Sequence, residues 1–299
     1  MQDRPLAAAG AILSAMAIIG FIDQFVAVIA ETSSLWTFHL IRSAMMWAMA
    51  LAWLAGRGQR LRVVNWRGVA LRSAFTSTAM ILYFGTLGFL PVAEAAAGLF
   101  TAPIFVLVFS VVVFGLPVGP VRVGAVLLGF AGVIAVLAPD PSAITLLTFA
   151  PVVAGAFYAV SAIGTREWCR DETALVISLG AFTALALWGV LGIAVVEMTG
   201  AGDDFVTRGW VTPSGEILMW CVLQAVGSFV AVVLLTRGYQ LAEASKASVF
   251  EYSVLGFSAF FGWLVRGDLL SVWGYAGLGA IAVSGAVIAL RGRSAAAVA

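Results

Sequence analysis

Along this chain, long apolar runs alternate with short polar breaks. A hydrocarbon core near 30 Å needs roughly 20 apolar residues per helix. Ten segments meet that length, at about 6–28, 34–55, 68–90, 92–114, 121–138, 144–165, 173–196, 215–236, 243–265 and 271–290. The pattern predicts ten membrane crossings. The run "GLPVGP" between the fourth and fifth segments is a turn signal, and the longest loop, "TGAGDDFVTRGWVTPS", follows the seventh. No soluble domain is expected outside these spans. The first apolar run continues past Val26, too long for a signal-peptide core and without an obvious small-residue cleavage site. It is therefore expected to be a retained first helix.

Composition turns that pattern into a class. The chain of 299 residues is 62% hydrophobic and 10% charged, with a mean hydropathy of +1.06. A soluble domain carries about a quarter charged residues, so this surface belongs in a bilayer. The fold class expected is an all-α integral membrane protein. A net charge of +1 gives no reason to expect nucleic acid as a partner. Cys169, in a basic loop, and Cys221, in an apolar span, fit no zinc or redox spacing and are expected as free thiols. No cofactor and no metal site is expected.

Basic residues set the orientation. With the N-terminus inside, twelve of the 16 Lys and Arg fall in inner loops and helix ends: Arg4, Arg57, Arg60, Arg62, Arg67, Arg72, Arg122, Arg166, Arg170, Arg237, Arg291 and Arg293. Outer loops hold only Arg208 and Arg266, while Arg42 and Lys246 lie within spans. Both ends are expected in the cytoplasm.

The chain also matches itself. "VAEAAAGLF" from Val92 and "LAEASKASVF" from Leu241 each open a crossing, with Ala93–Glu94 answering Ala242–Glu243. "VFG" ending at Gly115 answers "VRG" ending at Gly267, and "GAVLLGFAG" from Gly124 answers "GLGAIAVSG" from Gly277. The order is kept and the offset drifts only from 149 to 153. That is the mark of a duplication, with units expected at 1–138 and 144–291 and a cytoplasmic tail at 292–299. Each unit holds five crossings, an odd number, so the second enters the membrane upside down. Inverted repeats of this kind occur in secondary transporters, with the solute site near mid-membrane at the repeat interface.

Two five-helix halves, an Arg in the second helix ("HLIRSAMMW"), a proline in the fourth ("TAPIF") and Gly-rich fifth and tenth helices carry a family resemblance. Over nearly its whole length the chain resembles the drug/metabolite transporter superfamily, its EamA-type ten-helix exporters, and among these the bacterial aromatic amino acid exporters. It departs from them at Gly115–Leu116 and Gly267–Asp268, where the family has Gly-Glu at the end of the fourth helix, and at Ile19–Gly20 in place of Trp-Gly. The resemblance implies a multi-pass protein of the bacterial inner membrane that exports aromatic and other hydrophobic amino acids, with related small metabolites, by alternating access. One polypeptide supplies both halves, so function as a monomer is expected. A proton-coupled drug or toxin exporter of the same fold is the alternative.

Ionisable groups inside a bilayer are costly and usually face a cavity or a partner. Glu94 and Glu243 begin the fourth and ninth helices, where the helix dipole favours a carboxylate; Glu94 and Thr101 are also candidates for the substrate cavity. Lys246 lies three residues after Glu243 on one helix face, and reads either as its ion-pair partner or as a cavity cation meeting a substrate carboxylate. Glu251 lies two turns into the ninth helix, and reads either as the more functional acid or as a neutral carboxyl bonded to a neighbouring helix. Asp23 and His39 flank a turn centred near Glu31–Thr32 at equal spacing, with Arg42 one turn deeper. They form a structural network or a proton-coupling site, His39 being the only histidine and one that titrates near neutrality.

Tyr83 and Phe84, Phe100 and Phe105, Phe157 and Tyr158, and Phe250 and Tyr252 are candidates for an apolar cavity wall. Thr101 beside Pro103 predicts a bend in the fourth helix, since proline frees a carbonyl. The stripes Ala125/Gly129 and Ala276/Ala280/Ser284 are small-residue packing faces. Tryptophans at span ends, among them Trp53, Trp66, Trp168 and Trp210, fit an interfacial belt. An intramembrane enzyme would need a metal cluster or a nucleophile with its base, and the sequence holds neither H-E-x-x-H nor G-x-S-x-G. A channel would need a continuous polar lining, which the spans do not show. The partners expected are a small-molecule substrate and the lipid bilayer.

Overall fold

The computed structural model describes residues 4–87, 89, 90, 92–138, 146–267 and 269–296; for residues 27, 92–94, 266 and 291–296 it describes the backbone alone. Regular structure among the described residues is entirely helical. The order is α1 (Pro5–Ile22), a 3-10 turn (Asp23–Phe25), α2 (Val26–Thr32), α3 (Leu35–Gly56), α4 (Trp66–Thr86), α5 (Val92–Leu99), α6 (Ala102–Val112) and α7 (Pro120–Leu137). There follow a 3-10 turn (Leu146–Phe149), α8 (Ala150–Glu167), α9 (Ala174–Thr199), α10 (Gly215–Leu241), α11 (Ala244–Ala247), a 3-10 segment (Ser248–Tyr252), α12 (Ser253–Arg266) and α13 (Val272–Ala296).

Nine helical stretches among the described residues are long and apolar enough to cross a membrane. The predicted span at 68–90 forms as α4 but is not one of them. Its composition explains this: Arg72, Ser73, Thr76 and Ser77 are buried along it, so its polar face points into the protein and lowers its hydropathy. The stretch expected as a tail from 292 is helical to Ala296.

Local chemistry sets the helix starts. Ser34, Asn65, Thr173 and Ser214 each accept a hydrogen bond from the backbone N–H three residues on, a cap typically contributing about 1 kcal/mol. Three stretches are interrupted. In α5–α6, Pro103 cannot donate to the carbonyl four residues back, and Thr101 Oγ1 donates to Gly98 O at 2.6 Å across the break. The expected bend is present. In α1–α2, Gln24 Nε2 donates to Gly20 O at 2.8 Å and Gln224 Nε2 donates to Ile22 O at 2.6 Å, so side chains satisfy carbonyls beside the 3-10 turn. In α11–α12, the 3-10 segment carries Glu251.

Packing joins early helices to late ones. α1 lies against α10 and α12, α8 against α4 and α6, α3 and α4 both against α9, α3 against α10, and α7 against α13. The last contact uses the predicted small-residue stripes. Ser284 Oγ donates to Ala125 O at 2.6 Å. A Cβ on Gly132 would lie 2.6 Å from Gly277 O, and one on Gly277 the same distance from Gly132 O. Only glycine allows that approach. Gly115 and Gly267, which close α6 and α12, hold φ of 62° and 74°, a left-handed conformation that side chains disfavour.

Both ends of the bundle are tied. At the terminal end, where Arg4 N–H donates to Leu241 O, Glu172 Oε1 accepts from the backbone N–H of Val64 at 2.7 Å and of Asn65 at 2.5 Å. Gln240 Nε2 donates to the backbone oxygen of Glu172 at 2.7 Å. At the hairpin end, the loop after α9 closes over the α2–α3 turn. Ser34 Oγ donates to Gly209 O, Trp36 Nε1 to Val206 O, and Arg208 Nη1 to Ser33 O, at 2.7, 2.7 and 2.8 Å.

Candidate substrate site

Glu251 sits on the 3-10 segment between α11 and α12, where the backbone leaves the α-helical register and turns the side chain toward α8 and α10. Tyr158 Oη of α8 donates to Glu251 Oε2 at 2.9 Å, and Tyr239 Oη of α10 donates to Oε1. Both tyrosines lie in the field of the Arg72 guanidinium from α4. Arg72 is 6% exposed; its Nε donates to Thr165 Oγ1 at 3.0 Å, and its Nη1 has no hydrogen-bond partner among the described residues. A carboxyl group and two phenols thus meet from three helical elements, and the Arg72 cation of α4 acts on the phenols electrostatically.

Of the residues singled out in the sequence, this brings together Glu251 and Tyr158. The others lie elsewhere. Phe157 packs on Phe75 with centroids 5.7 Å apart, Phe100 meets Tyr252 edge-on at 6.3 Å, and Tyr83 meets Phe84 at 5.3 Å. Thr101 serves the α5–α6 break. Phe250 lines a groove of about 430 Å³ between α1 and α13, beside Leu6, Leu13 and Ala286. The side chain of Glu94 lies outside the described residues.

Lys246 Nζ is 3.2 Å from Glu243 Oε1, and Glu243 also pairs with Arg122 at the start of α7. The ion-pair reading of Lys246 is the one the geometry carries. Trp168, expected in the interfacial belt, packs between Phe75 and Phe114, whereas Trp53, Trp66 and Trp210 are exposed as expected. Cys169 and Cys221 are free and buried.

The first-hairpin residues form a second cluster, with one correction. The turn falls at Ser33–Ser34, two residues later than expected, because α2 runs on to Thr32. At 1.5 Å per residue, Asp23 then lies about 13 Å from this end and Arg42 about 10 Å, with His39 about 6 Å. Asp23 is therefore level with Arg42 rather than with His39, and the two interact electrostatically. Arg42 Nη2 lies 3.2 Å from His39 Nδ1. Its guanidinium lies 4.7, 5.3 and 5.6 Å from the rings of Phe38, Phe182 and Phe84.

Arg72, Tyr239 and Thr165 escaped the sequence reading. Arg72 was counted among inner-end charges, although six residues of helix precede it; an arginine that deep, one turn from Thr76, was the available signal. Tyr239 carries no signal, since only the return of α11–α12 onto α10 brings it to Glu251.

Residues 6–138 match the EamA-like transporter family. Among curated proteins, the chain is 25% identical over 202 residues to a riboflavin transporter of Brucella anthropi, covering 65% of this chain and 66% of that one. It is 25% identical to a riboflavin transporter of Rhizobium johnstonii, over 72% of this chain and 66% of that one. It is 24% identical to a riboflavin transporter of Vibrio cholerae, over 85% and 82%. The first two alignments thus span just under two thirds of those relatives. A solved crystal structure superposes with a TM-score of 0.78 over 96% of this chain and 98% of its own, at 18% identity, a likeness of fold. The helical bundle and its apolar stretches define a multi-pass membrane protein, and residues 6–138 are what it shares with the EamA-like transporter family.

Proposed function

We propose that this protein is an EamA-type secondary transporter that moves an amphipathic aromatic metabolite by alternating access, with the Arg72–Tyr158–Tyr239–Glu251 cluster as its solute site. The observation that carries this is that the two phenols donating to Glu251 are the groups Arg72 acts on electrostatically, so that an acceptor (Glu251) and a cation with a spare donor (Arg72) flank the same two tyrosines. Such a site takes a solute whose polar end offers a donor beside an acceptor. The N–H and C=O edge of a flavin-like ring has that layout, and three relatives are riboflavin transporters. A flavin-like heteroaromatic is the first reading.

The ammonium and carboxylate of an aromatic amino acid have the same layout, which is the second reading and the one the sequence led to. Its earlier support from Lys246 is weakened by the pairing of that residue with Glu243.

The rocking units are the inverted halves 1–138 and 144–291. Exchange of the first five rods for the last five maps the packing onto itself: α1–α10 onto α8–α4, α3–α10 onto α9–α4, α1–α12 onto α8–α6, with α3–α9 and α7–α13 unchanged. The matched α5–α6 and α11–α12 are both broken and both close on a left-handed glycine. The tied ends match as well, the first turn with the loop after α9 and the α8–α9 turn with the loop after α3. The distribution of arginines supports an inner-membrane protein with the terminal end, and hence both termini, in the cytoplasm, acting as a monomer.

The test is flux in proteoliposomes with riboflavin, phenylalanine, tryptophan and a cationic dye, with and without a proton gradient. Riboflavin flux that falls at least about tenfold in Glu251→Gln supports the first reading, and amino acid flux with the same sensitivity supports the second. Dye flux alone, collapsing with the gradient, overturns both in favour of a drug exporter.

A further inference from the structure

The Arg42 cluster repeats the chemistry of the Glu251 site near the opposite end of the bundle. Arg42 is 6% exposed, and among the described residues its Nε has no hydrogen-bond partner, nor has Nε2 of His39, which is fully buried. A guanidinium carries five N–H donors, and leaving buried donors unmet is costly. Three aromatic rings around it supply attraction for the charge but accept no in-plane hydrogen bond.

The acid of this cluster is presented by design of the backbone. Asp23 opens the 3-10 turn that interrupts α1–α2, and the glutamines described above hold that turn in place. Its side chain is exposed although it lies about 13 Å below the hairpin end. Tyr83 lies in its field. Trp220 of α10 stacks on Phe25 with centroids 4.8 Å apart, and its Nε1 also has no hydrogen-bond partner among the described residues. Cation, acid, tyrosine and open aromatic stack are all present.

Distance separates the two clusters. α4 carries Arg72 of one and Tyr83 of the other, eleven residues apart, or about 16 Å along the helix. Loops tie the bundle beyond each cluster.

We propose that the Arg42 cluster is a second solute-binding station. It receives the same donor-and-acceptor polar end at Arg42 and Asp23, with the aromatic body against Phe25 and Trp220, when the solute arrives from or leaves toward the hairpin end. The Arg72–Glu251 site is then the station of the terminal end. This inference rests on the transporter reading above.

The experiment is sided transport in proteoliposomes of determined orientation, reading the half-saturation concentration for solute added at each face, with riboflavin and tryptophan as probes. Arg42→Gln and Asp23→Asn are expected to raise that concentration about tenfold for solute added at the hairpin end and less than about twofold at the terminal end. Arg72→Gln is expected to do the reverse, and Arg42→Lys to recover part of the loss by keeping the cation. In an uncoupled carrier the maximal rate at the affected face changes in proportion, so the half-saturation concentration is the quantity to compare.

Equal shifts at both faces, or none from Arg42→Gln and Asp23→Asn, overturn the second station while leaving the transporter reading intact. No flux of either probe in the wild type defeats the transporter reading and the station with it. If Arg42→Gln does not fold, Asp23→Asn, whose side chain is exposed, carries the test.

Discussion

At the scale of single residues, Glu251 is held by what it accepts. Two phenols donate to it, and each loses its acceptor if the carboxyl group is removed. An unmet buried donor costs roughly 1–3 kcal/mol. Glu251→Ala is therefore expected to destabilise the protein by about that amount more than Glu251→Gln, which keeps one acceptor oxygen; thermal unfolding in detergent reads the difference.

Cys169 supplies a pH-dependent counterpart outside the spans. Burial is the main influence on its thiol and pushes it up to about 11, only partly opposed by the Arg72 cation. The thiolate is the nucleophile, so its population at neutral pH is depressed relative to an ordinary thiol. Maleimide labelling of Cys169 in a Cys221→Ser background is expected to be about 100-fold slower than for an exposed cysteine, and to rise steeply with pH up to about 11. A rate that matches an exposed thiol at pH 7 would show that the turn at 168–173 is open.

At the scale of elements, the glycines decide more than the charges do. α7 and α13 cross where Gly132 and Gly277 each leave no space for a methyl group. A methyl on Gly132 would also meet Ile281 and Ala280, at 2.9 and 3.2 Å. Overpacking of this kind typically costs about 1–3 kcal/mol. Gly132→Ala and Gly277→Ala are each expected to lower the unfolding temperature, and the double variant to cost less than their sum, because the first displacement makes room for the second.

This crossing was legible in the sequence, because small residues at helical spacing are a local signal. The bend at Thr101–Pro103 was legible for the same reason. The candidate site was legible only in part. Glu251 stands out as an acid in an apolar run, yet its partners come from α8 and α10, and no local pattern encodes which helices converge. The hairpin was read with its turn two residues early, since nothing in "AETSSL" says that Ser34 rather than Glu31 marks the boundary until its hydroxyl is seen to cap α3.

At the scale of the whole molecule, the alternating access proposed above requires that one set of ties or the other break. The terminal end depends on Glu172, 5% exposed, which holds the loop after α3 through two backbone N–H groups and the end of α10 through its own carbonyl. The ion pairs of Glu243 with Arg122 and Lys246 link α7 to α11 at the same end. These pairs are partly exposed, and such pairs contribute little, about 0–1 kcal/mol. The carboxylate of Glu172 is buried and bonded to backbone, so it dominates the closure.

Its removal leaves two loop N–H groups without an acceptor, and water is the replacement nearest to hand. Glu172→Ala is therefore expected to shift the population toward a state open at the terminal end. Cys169 reports on that state, because it lies three residues away in the same turn and is fully buried. Its maleimide labelling should rise at least about tenfold in Glu172→Ala, which corresponds to about 1.4 kcal/mol of lost closure. Glu243→Gln should change it by less than about threefold. The reverse order would assign the closure to the ion pairs instead, and make α7 and α11 the elements that part first.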